Sequence, residues 1–155
     1  MPNHCHNRVT IWSDDQATIE NLKNLFEDEN IFTQIIPEPD WPNTPLMSKD
    51  VQGLVYDRGK VGELPVKVDA PFETYRFSSG EVDDRWYDWR NQNWDTKWDA
   101  YDVVVTDDDP ECTEIEFNTA WAPPEAICSA LREKYPEATV QWFYDEPGCE
   151  IAGYL

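Results

Sequence analysis

The stretch Thr113-Glu114-Ile115-Glu116-Phe117-Asn118-Thr119 alternates without interruption. Successive side chains on a strand face opposite ways, so Ile115 and Phe117 turn to a core while Glu114 and Glu116 turn outward. Immediately upstream, Asp107-Asp108-Asp109-Pro110 reads as a turn, and Tyr101-Asp102-Val103-Val104-Val105-Thr106 as the strand before it. Downstream, Pro123-Pro124 opens a helix, where a missing N–H costs nothing. Ile127, Ala130, Leu131 and Tyr135 form its apolar face and Pro136 ends it. Ala138 to Tyr144 is a further strand, closed by Pro147-Gly148.

The N-terminal part has the same grammar. Asn7-Arg8-Val9-Thr10-Ile11-Trp12 is a strand with Val9 and Ile11 on one face. Ser13 with Gln16 three residues on reads as a capping box, and Asp14 and Asp15 suit the positive end of a helix. Ile19, Leu22, Leu25 and Phe26 give that helix one apolar face through about residue 27. Ile31 to Ile36 reads as extended up to Pro37. Between 37 and 80 the periodicity dissolves among six prolines and four glycines, so this stretch reads as an elaboration of the domain holding one short helix or hairpin. Trp86, Trp89 and Arg90 are at helical spacing and predict a helix over about 82–92, followed by a tryptophan-rich turn.

The element order is strand, helix, insertion, strand, strand, helix, strand. That is a single α+β domain of split β-α-β, ferredoxin-like type, an antiparallel sheet with two helices on one face and an insertion at about 38–100. The other sheet face is left open for a loop, a partner or a ligand.

Composition bounds the function. The 155 residues carry 32 acids against 12 lysines and arginines, a net charge of −20, yet 40% are hydrophobic, with 8 Trp, 7 Tyr and 6 Phe, so the chain folds rather than staying disordered. Residues 1–50 hold 9 acids and 3 bases, 51–100 hold 10 and 7, and 101–155 hold 13 and 2, which places the acid excess on the regular C-terminal part. A phosphate backbone or an anionic membrane needs a cationic face, so direct binding of either is not expected. No apolar run reaches the ~20 residues of a membrane span, and Met1 to Arg8 lacks the apolar centre of a secretion signal. Cys5, Cys112, Cys128 and Cys149 show no paired spacing, which suggests four reduced thiols in a cytoplasmic protein.

Four stretches together resemble the YubB-like family of plasmid and phage proteins: Pro2-Asn3-His4-Cys5-His6-Asn7-Arg8-Val9, Asn93-Trp94-Asp95-Thr96-Lys97-Trp98-Asp99, Phe117-Asn118-Thr119-Ala120-Trp121-Ala122-Pro123-Pro124, and Tyr144-Asp145-Glu146-Pro147-Gly148. The likeness is weakest across 38–80. It implies a ferredoxin-like fold and carriage by mobile elements, and it brings no activity or catalytic residues.

Several side-chain groups are candidates for function, each beside a structural reading. Trp86, Tyr87, Trp89, Trp94, Trp98 and Tyr101, with Trp121 and Trp142 near the sheet, read as a second small core. Read functionally, Trp86, Trp89, Trp94, Trp98 and Trp121 form an aromatic binding surface. Asp95, Lys97 and Asp99 read as a salt-bridge knot, with an acid–base set in an enzyme pocket, joined by Glu146, as the alternative. His4 and His6 share one side of an extended chain with Cys5 on the other; a metal site would need distant ligands such as Cys149 or Glu150, so no metal and no cofactor is expected. Asp107, Asp108, Asp109 and Glu111 read as a solvated turn, lacking the spacing of a calcium loop. Outward Glu114 and Glu116 belong to an acidic surface that either keeps the protein soluble or imitates nucleic-acid phosphates.

The leading expectation is a non-enzymatic acidic binding protein whose partner is a basic host protein, such as a nucleic-acid-acting or defence protein inhibited by charge mimicry. The alternatives are a small-molecule enzyme with a pocket between the insertion and the sheet, and a single-strand nucleic-acid binder through sheet aromatics.

Overall fold

The structure, a computed structural model, describes residues 3–51 and 58–155. Residues 1–2 and 52–57, which include Pro2 of the first resembling stretch and part of the proline-rich segment, lie outside the described residues. The chain divides into two compact units, Met1–Pro37 with Arg90–Leu155, and Glu38–Trp89.

The first unit is built on a sheet of β1 (His4–Trp12), β4 (Tyr101–Asp109), β5 (Cys112–Ala120), β6 (Thr139–Glu146) and β7 (Ile151–Tyr154). Spatial order is β4-β5-β1-β6-β7, every neighbouring pair antiparallel. The first four of these strands, with helices α1 (Gln16–Glu27) and α5 (Glu125–Lys134), make the ferredoxin-like arrangement. Alternation on β1 and β5 buries Val9, Ile11, Ile115 and Phe117. These meet Ile19, Leu22 and Phe26 of α1 and Ile127 and Leu131 of α5. Phe117 lies at the centre, its ring 5.8 Å from Phe26, 6.1 Å from Phe32 and 5.6 Å from Trp142. Phe32 and Trp142 meet it edge-to-face and Phe26 at a tilt, an arrangement in which large rings bury much apolar surface.

Five local expectations are corrected. Ile31 to Ile36 is not extended: Ile31–Ile35 is helix α2, with Ile31 and Phe32 buried. A five-residue apolar run carries no decisive periodicity, and the cap that favours the helix comes from Asp99, remote in sequence. The Ser13–Gln16 capping box does not form. Asp15 is the N-cap, accepting from Ala17 N, while Ser13 Oγ accepts from Asp15 N and donates to Glu137 O. Asp107 to Asp109 is not a turn but the end of β4, and Pro110-Glu111 makes the two-residue connection to β5. β7 was not anticipated; it is four residues long and includes Gly153, too short to show alternation. The helix expected over 82–92 is α4 (Arg85–Asn93). It starts in the second unit and ends in the first, and the tryptophan-rich turn after it belongs to the first unit, not to the insertion.

One α1 side chain breaks the apolar pattern. Lys23 is buried, with Nζ 2.6 Å from Asp107 Oδ1 and 2.9 Å from Asp109 O. Part of the acidic run at the end of β4 therefore neutralises a lysine of the helix layered above it.

The second unit contains a 3-10 turn at Trp41–Asn43, the short helix α3 (Ser48–Val51) and the hairpin of β2 (Val66–Val68) with β3 (Thr74–Arg76). Its organiser is Arg85. The guanidinium is buried, paired twice with Asp83 at 2.8 Å, and donates to the carbonyls of Trp41, Thr44 and Pro45. It lies 5.1 Å from the ring centre of Trp41 and 5.3 Å from that of Phe77. One planar cation thus gathers three backbone carbonyls of the proline-containing 41–45 segment. Arg85→Met leaves the Asp83 carboxylate buried without its partner. It is expected to cost the Glu38–Trp89 unit about 3–5 kcal/mol, seen as lost amide protection in hydrogen exchange, with partial recovery in the Asp83→Asn/Arg85→Met double variant.

Candidate functional site

Two surfaces of the first unit concentrate chemistry: the open face of the sheet, and a groove beside its β4 edge.

The open face follows from strand alternation. His4, His6, Arg8 and Trp12 are exposed along β1. Register places Asn118 beside His6, Glu116 beside Arg8, and on the other flank Asp145 beside His6 and Phe143 beside Arg8. Both histidines are held by Nδ1. His4 Nδ1 is 2.6 Å from Tyr101 Oη, and His6 Nδ1 is 2.6 Å from Asn118 Oδ1. Asn118 Nδ2 in turn donates to Asp102 Oδ2 at 3.1 Å. That bond fixes which end of the amide faces His6, so His6 carries its proton on Nδ1. The ring of Tyr101 meets His4 edge-on at 5.7 Å and Trp98 at 6.3 Å, and Lys97 Nζ sits 4.6 Å above Trp98. Burial, reinforced by the Asp102 charge, pushes the Tyr101 hydroxyl above its ordinary value, so it stays protonated.

The groove has a volume of about 680 Å³ and runs between the α1–α2 turn and the start of β4. Phe26, Ile31, Val103, Val104 and Val105 supply apolar lining, and its acidic residues are Glu27, Asp28, Glu29, Asp99 and Asp102, of which the Asp99 carboxylate is bonded to Phe32 N and the Asp102 carboxylate to Asn118. No lysine or arginine is among the described residues that line it. Its shape is set by two left-handed residues, Asn30 at φ 56° and Asp102 at φ 53°. Asp102 sits at a register shift that interrupts the β4–β5 ladder.

The residues singled out in the sequence separate into distinct roles. Asp95, Lys97 and Asp99 form neither a salt-bridge knot nor an acid–base set. Asp95 Oδ2 accepts from Ala126 N at the start of α5, at 2.9 Å. Asp99 accepts from Phe32 N at the start of α2, at 3.0 and 3.2 Å. Neither helix has a side-chain cap from its own N-cap residue. Two aspartates of one turn thus satisfy the first N–H groups of two helices. Between them Thr96 Oγ1 donates to Ala120 O, and Lys97 is given to Trp98.

Trp94 is not a binding residue. It is fully buried, donates Nε1–H to Ile36 O at 3.0 Å and meets Phe32 edge-on at 5.7 Å. Trp86 and Trp89 are half-buried, Trp86 against Tyr87 and Trp89 against Trp41. Trp98 and Trp121 are exposed, at 38% and 47%. Trp121 is held outward at φ 71°, a conformation costly for a bulky residue, and its N–H donates to Asn3 O. Trp142 is buried and donates to Asn7 Oδ1. Glu114 is half-buried and Glu116 exposed, 3.7 Å from Arg8.

Glu146 is likewise structural. It is buried and accepts from the backbone N–H groups of Gly148 and Cys149, closing the β6–β7 turn. The Cys149 thiol and the Asn3 side chain also bond it, and these bonds hold its carboxyl below the ordinary value while raising that of Cys149. A Cβ on Gly148 would crowd the Asn3 amide and Glu146 Oε1, so a larger residue there would displace the side chains that close the turn. All four cysteines are free thiols. Burial pushes Cys5 up to about 11 and also raises Cys128, so neither is a ready nucleophile. Among the described residues no three His, Cys, Asp or Glu side chains converge on a point where a metal ion would fit, and Asp107 to Glu111 holds Lys23 instead. Asn118, Tyr101 and Asp102 as partners of the histidines, and Glu27 to Glu29 as groove lining, escaped the sequence reading. The outward alternation of β5 was the only available signal for Asn118.

Fold and surfaces together define a ferredoxin-like α+β domain with an acidic edge groove and an open sheet face. A family model described as "Ferredoxin-like domain in Api92-like protein" matches residues 93–155, from the capping turn through β7. The crystal structure of protein api92 from Yersinia pseudotuberculosis is similar with a TM-score of 0.58 at 9% identity, over 99% of this chain and 93% of that one, a likeness of fold. No curated protein matches.

Two outcomes test the structural roles. Asp95→Ala and Asp99→Ala each remove a cap, an expected loss of about 1 kcal/mol, which lowers Tm by about 2–4 °C in thermal unfolding. For Glu146, a folded value below the unfolded one of 4.5 means its stabilisation is present above that pH and lost as pH falls through the folded value. Amide protection of β7 is therefore expected to fall on acidification below about pH 4.5, and Glu146→Gln to remove most of that pH dependence.

Proposed function

We propose that the chain is a non-enzymatic binding protein whose acidic groove takes a basic, partly apolar segment of a partner protein. The observation that carries this reading is the groove lining: Glu27, Asp28 and Glu29 stand beside an apolar floor, with no cation among the described residues that line it. Charge complementarity of this kind steers encounter and fixes which segment is accepted. The bulged β4 edge disfavours strand addition, so recognition runs through side chains. An enzymatic reading loses its acid–base groups, because Asp95 and Asp99 serve as helix caps.

The resemblance to YubB-like plasmid and phage proteins supports a mobile-element origin and a cytoplasmic setting, and the acidic groove supports a basic host protein as partner. A nucleic-acid-acting or defence protein inhibited through phosphate-like carboxylates fits these features. Among the described residues no helix is long and apolar enough to cross a membrane. Direct nucleic-acid binding by the open face is disfavoured, since Glu116 stands beside Arg8, and Asp102 and Asp145 flank the histidines.

The test uses a synthetic peptide of alternating lysine and valine, titrated at low and high salt. Binding at low salt is expected, weakened at least ten-fold by the Glu27→Lys/Glu29→Lys double variant and unchanged by Glu133→Lys on α5. Salt should release it. Absence of binding at low salt, or equal weakening by Glu133→Lys, would overturn the groove as the recognition surface.

A further inference from the structure

The two histidines of the chain are absorbed neither by the core nor by the groove. They are exposed at alternate positions of one strand, so their Cα atoms stand about 6.5–7 Å apart on one face. Each ring is anchored through Nδ1, His4 by Tyr101 and His6 by Asn118. For His6 the anchoring chain runs on to a carboxylate, His6–Asn118–Asp102. A proton held on Nδ1 leaves the Nε2 lone pair for a ligand outside the protein. A metal-bound imidazole has this same organisation, its other ring N–H given to a hydrogen-bonded partner that fixes tautomer and orientation. Tyr101 can play the corresponding part for His4, since a hydroxyl accepts from Nδ1–H while turning its own hydrogen elsewhere.

The charge of the face selects the sign of the ligand. Asp102, Glu116 and Asp145 surround the pair, against Arg8, which lies beside Glu116, and Lys97, which lies over Trp98 next to Tyr101. A cation is favoured there and a phosphate is not. Imidazole nitrogen selects a borderline transition metal over magnesium or calcium, which take oxygen ligands.

We propose that His4 and His6, through Nε2, form a surface site for one divalent transition-metal ion of the zinc class, with Tyr101 and Asn118 as positioning residues. Because among the described residues no group of three His, Cys, Asp or Glu side chains is placed to hold a metal ion, water completes the coordination. The ion is therefore exchangeable, with positions left for a ligand atom from a partner or a small molecule.

The experiment titrates the untagged protein with Zn²⁺ by calorimetry and follows the imidazole nitrogens by ¹⁵N NMR. One saturable equivalent is expected, with Nε2 of both rings shifted and Nδ1 still protonated. His4→Gln and His6→Gln should each weaken binding at least ten-fold. Asn118→Leu, which removes the Nδ1 acceptor but no ligand, should weaken it about ten-fold and raise the fraction of His6 protonated on Nε2 in the free protein. That tautomer readout distinguishes positioning from a general loss of structure. Zn²⁺ binding that persists in the His4→Gln/His6→Gln double variant would assign it to the carboxylates and overturn the proposal. So would the absence of a saturable equivalent, or unshifted Nε2 signals.

Discussion

One turn, Trp94 to Asp99, joins most of what makes the first unit a unit. Its side chains reach α2, α5 and the end of β5. Trp94 reaches Ile36 O and the ring of Phe32, Asp95 caps α5, Thr96 holds the end of β5, and Asp99 caps α2. The left-handed backbone at Asp95, φ 64°, is what lets consecutive residues diverge in this way. Helix ends carry unsatisfied N–H groups, and α2 and α5 begin at Asn30 and Pro124, which give them no side-chain cap. The same turn then delivers Lys97, Trp98 and Tyr101 to the open sheet face. Structure and exposed surface therefore share a single origin.

The acidity divides in the same manner. Several carboxylates are committed to backbone N–H groups or to buried cations: Asp95 and Asp99 at helix starts, Glu146 in the β6–β7 turn, Asp83 on Arg85 and Asp107 on Lys23. These act as short-range electrostatic fasteners, each satisfying a group that would otherwise be costly to bury. The acids around the α1–α2 turn line a groove instead, and those on the open face surround two histidines. The acids behind the net charge of −20 are thus divided between structural fastening and exposed surface.

The layered fold was legible because its signals are local. Alternation at Thr113 to Thr119, helical spacing at Ile19 to Phe26 and the proline bracket around α5 each report which side of an element is wet. What failed were elements too short to have a period, α2 and β7, and boundaries set from afar, such as the Ser13 box displaced by Asp15. Candidate residues failed for a related reason. Asp95, Lys97 and Asp99 are neighbours in sequence, which invited a cluster, but the turn sends Asp95 to α5 and Asp99 to α2 and leaves Lys97 over Trp98.

The sequence by itself determined the class of fold, the burial of Ile115, Phe117 and their helix partners, and the exposure of His4 and His6 opposite Cys5. Periodicity and alternation are properties of a chain segment, so they can be read along it. Only the tertiary structure decided which carboxylates cap helices, which line a groove, and that Asn118 and Tyr101 orient the two histidines. Those outcomes depend on which strand lies beside which, and on a turn whose hydrogen bonds join residues up to 67 positions apart.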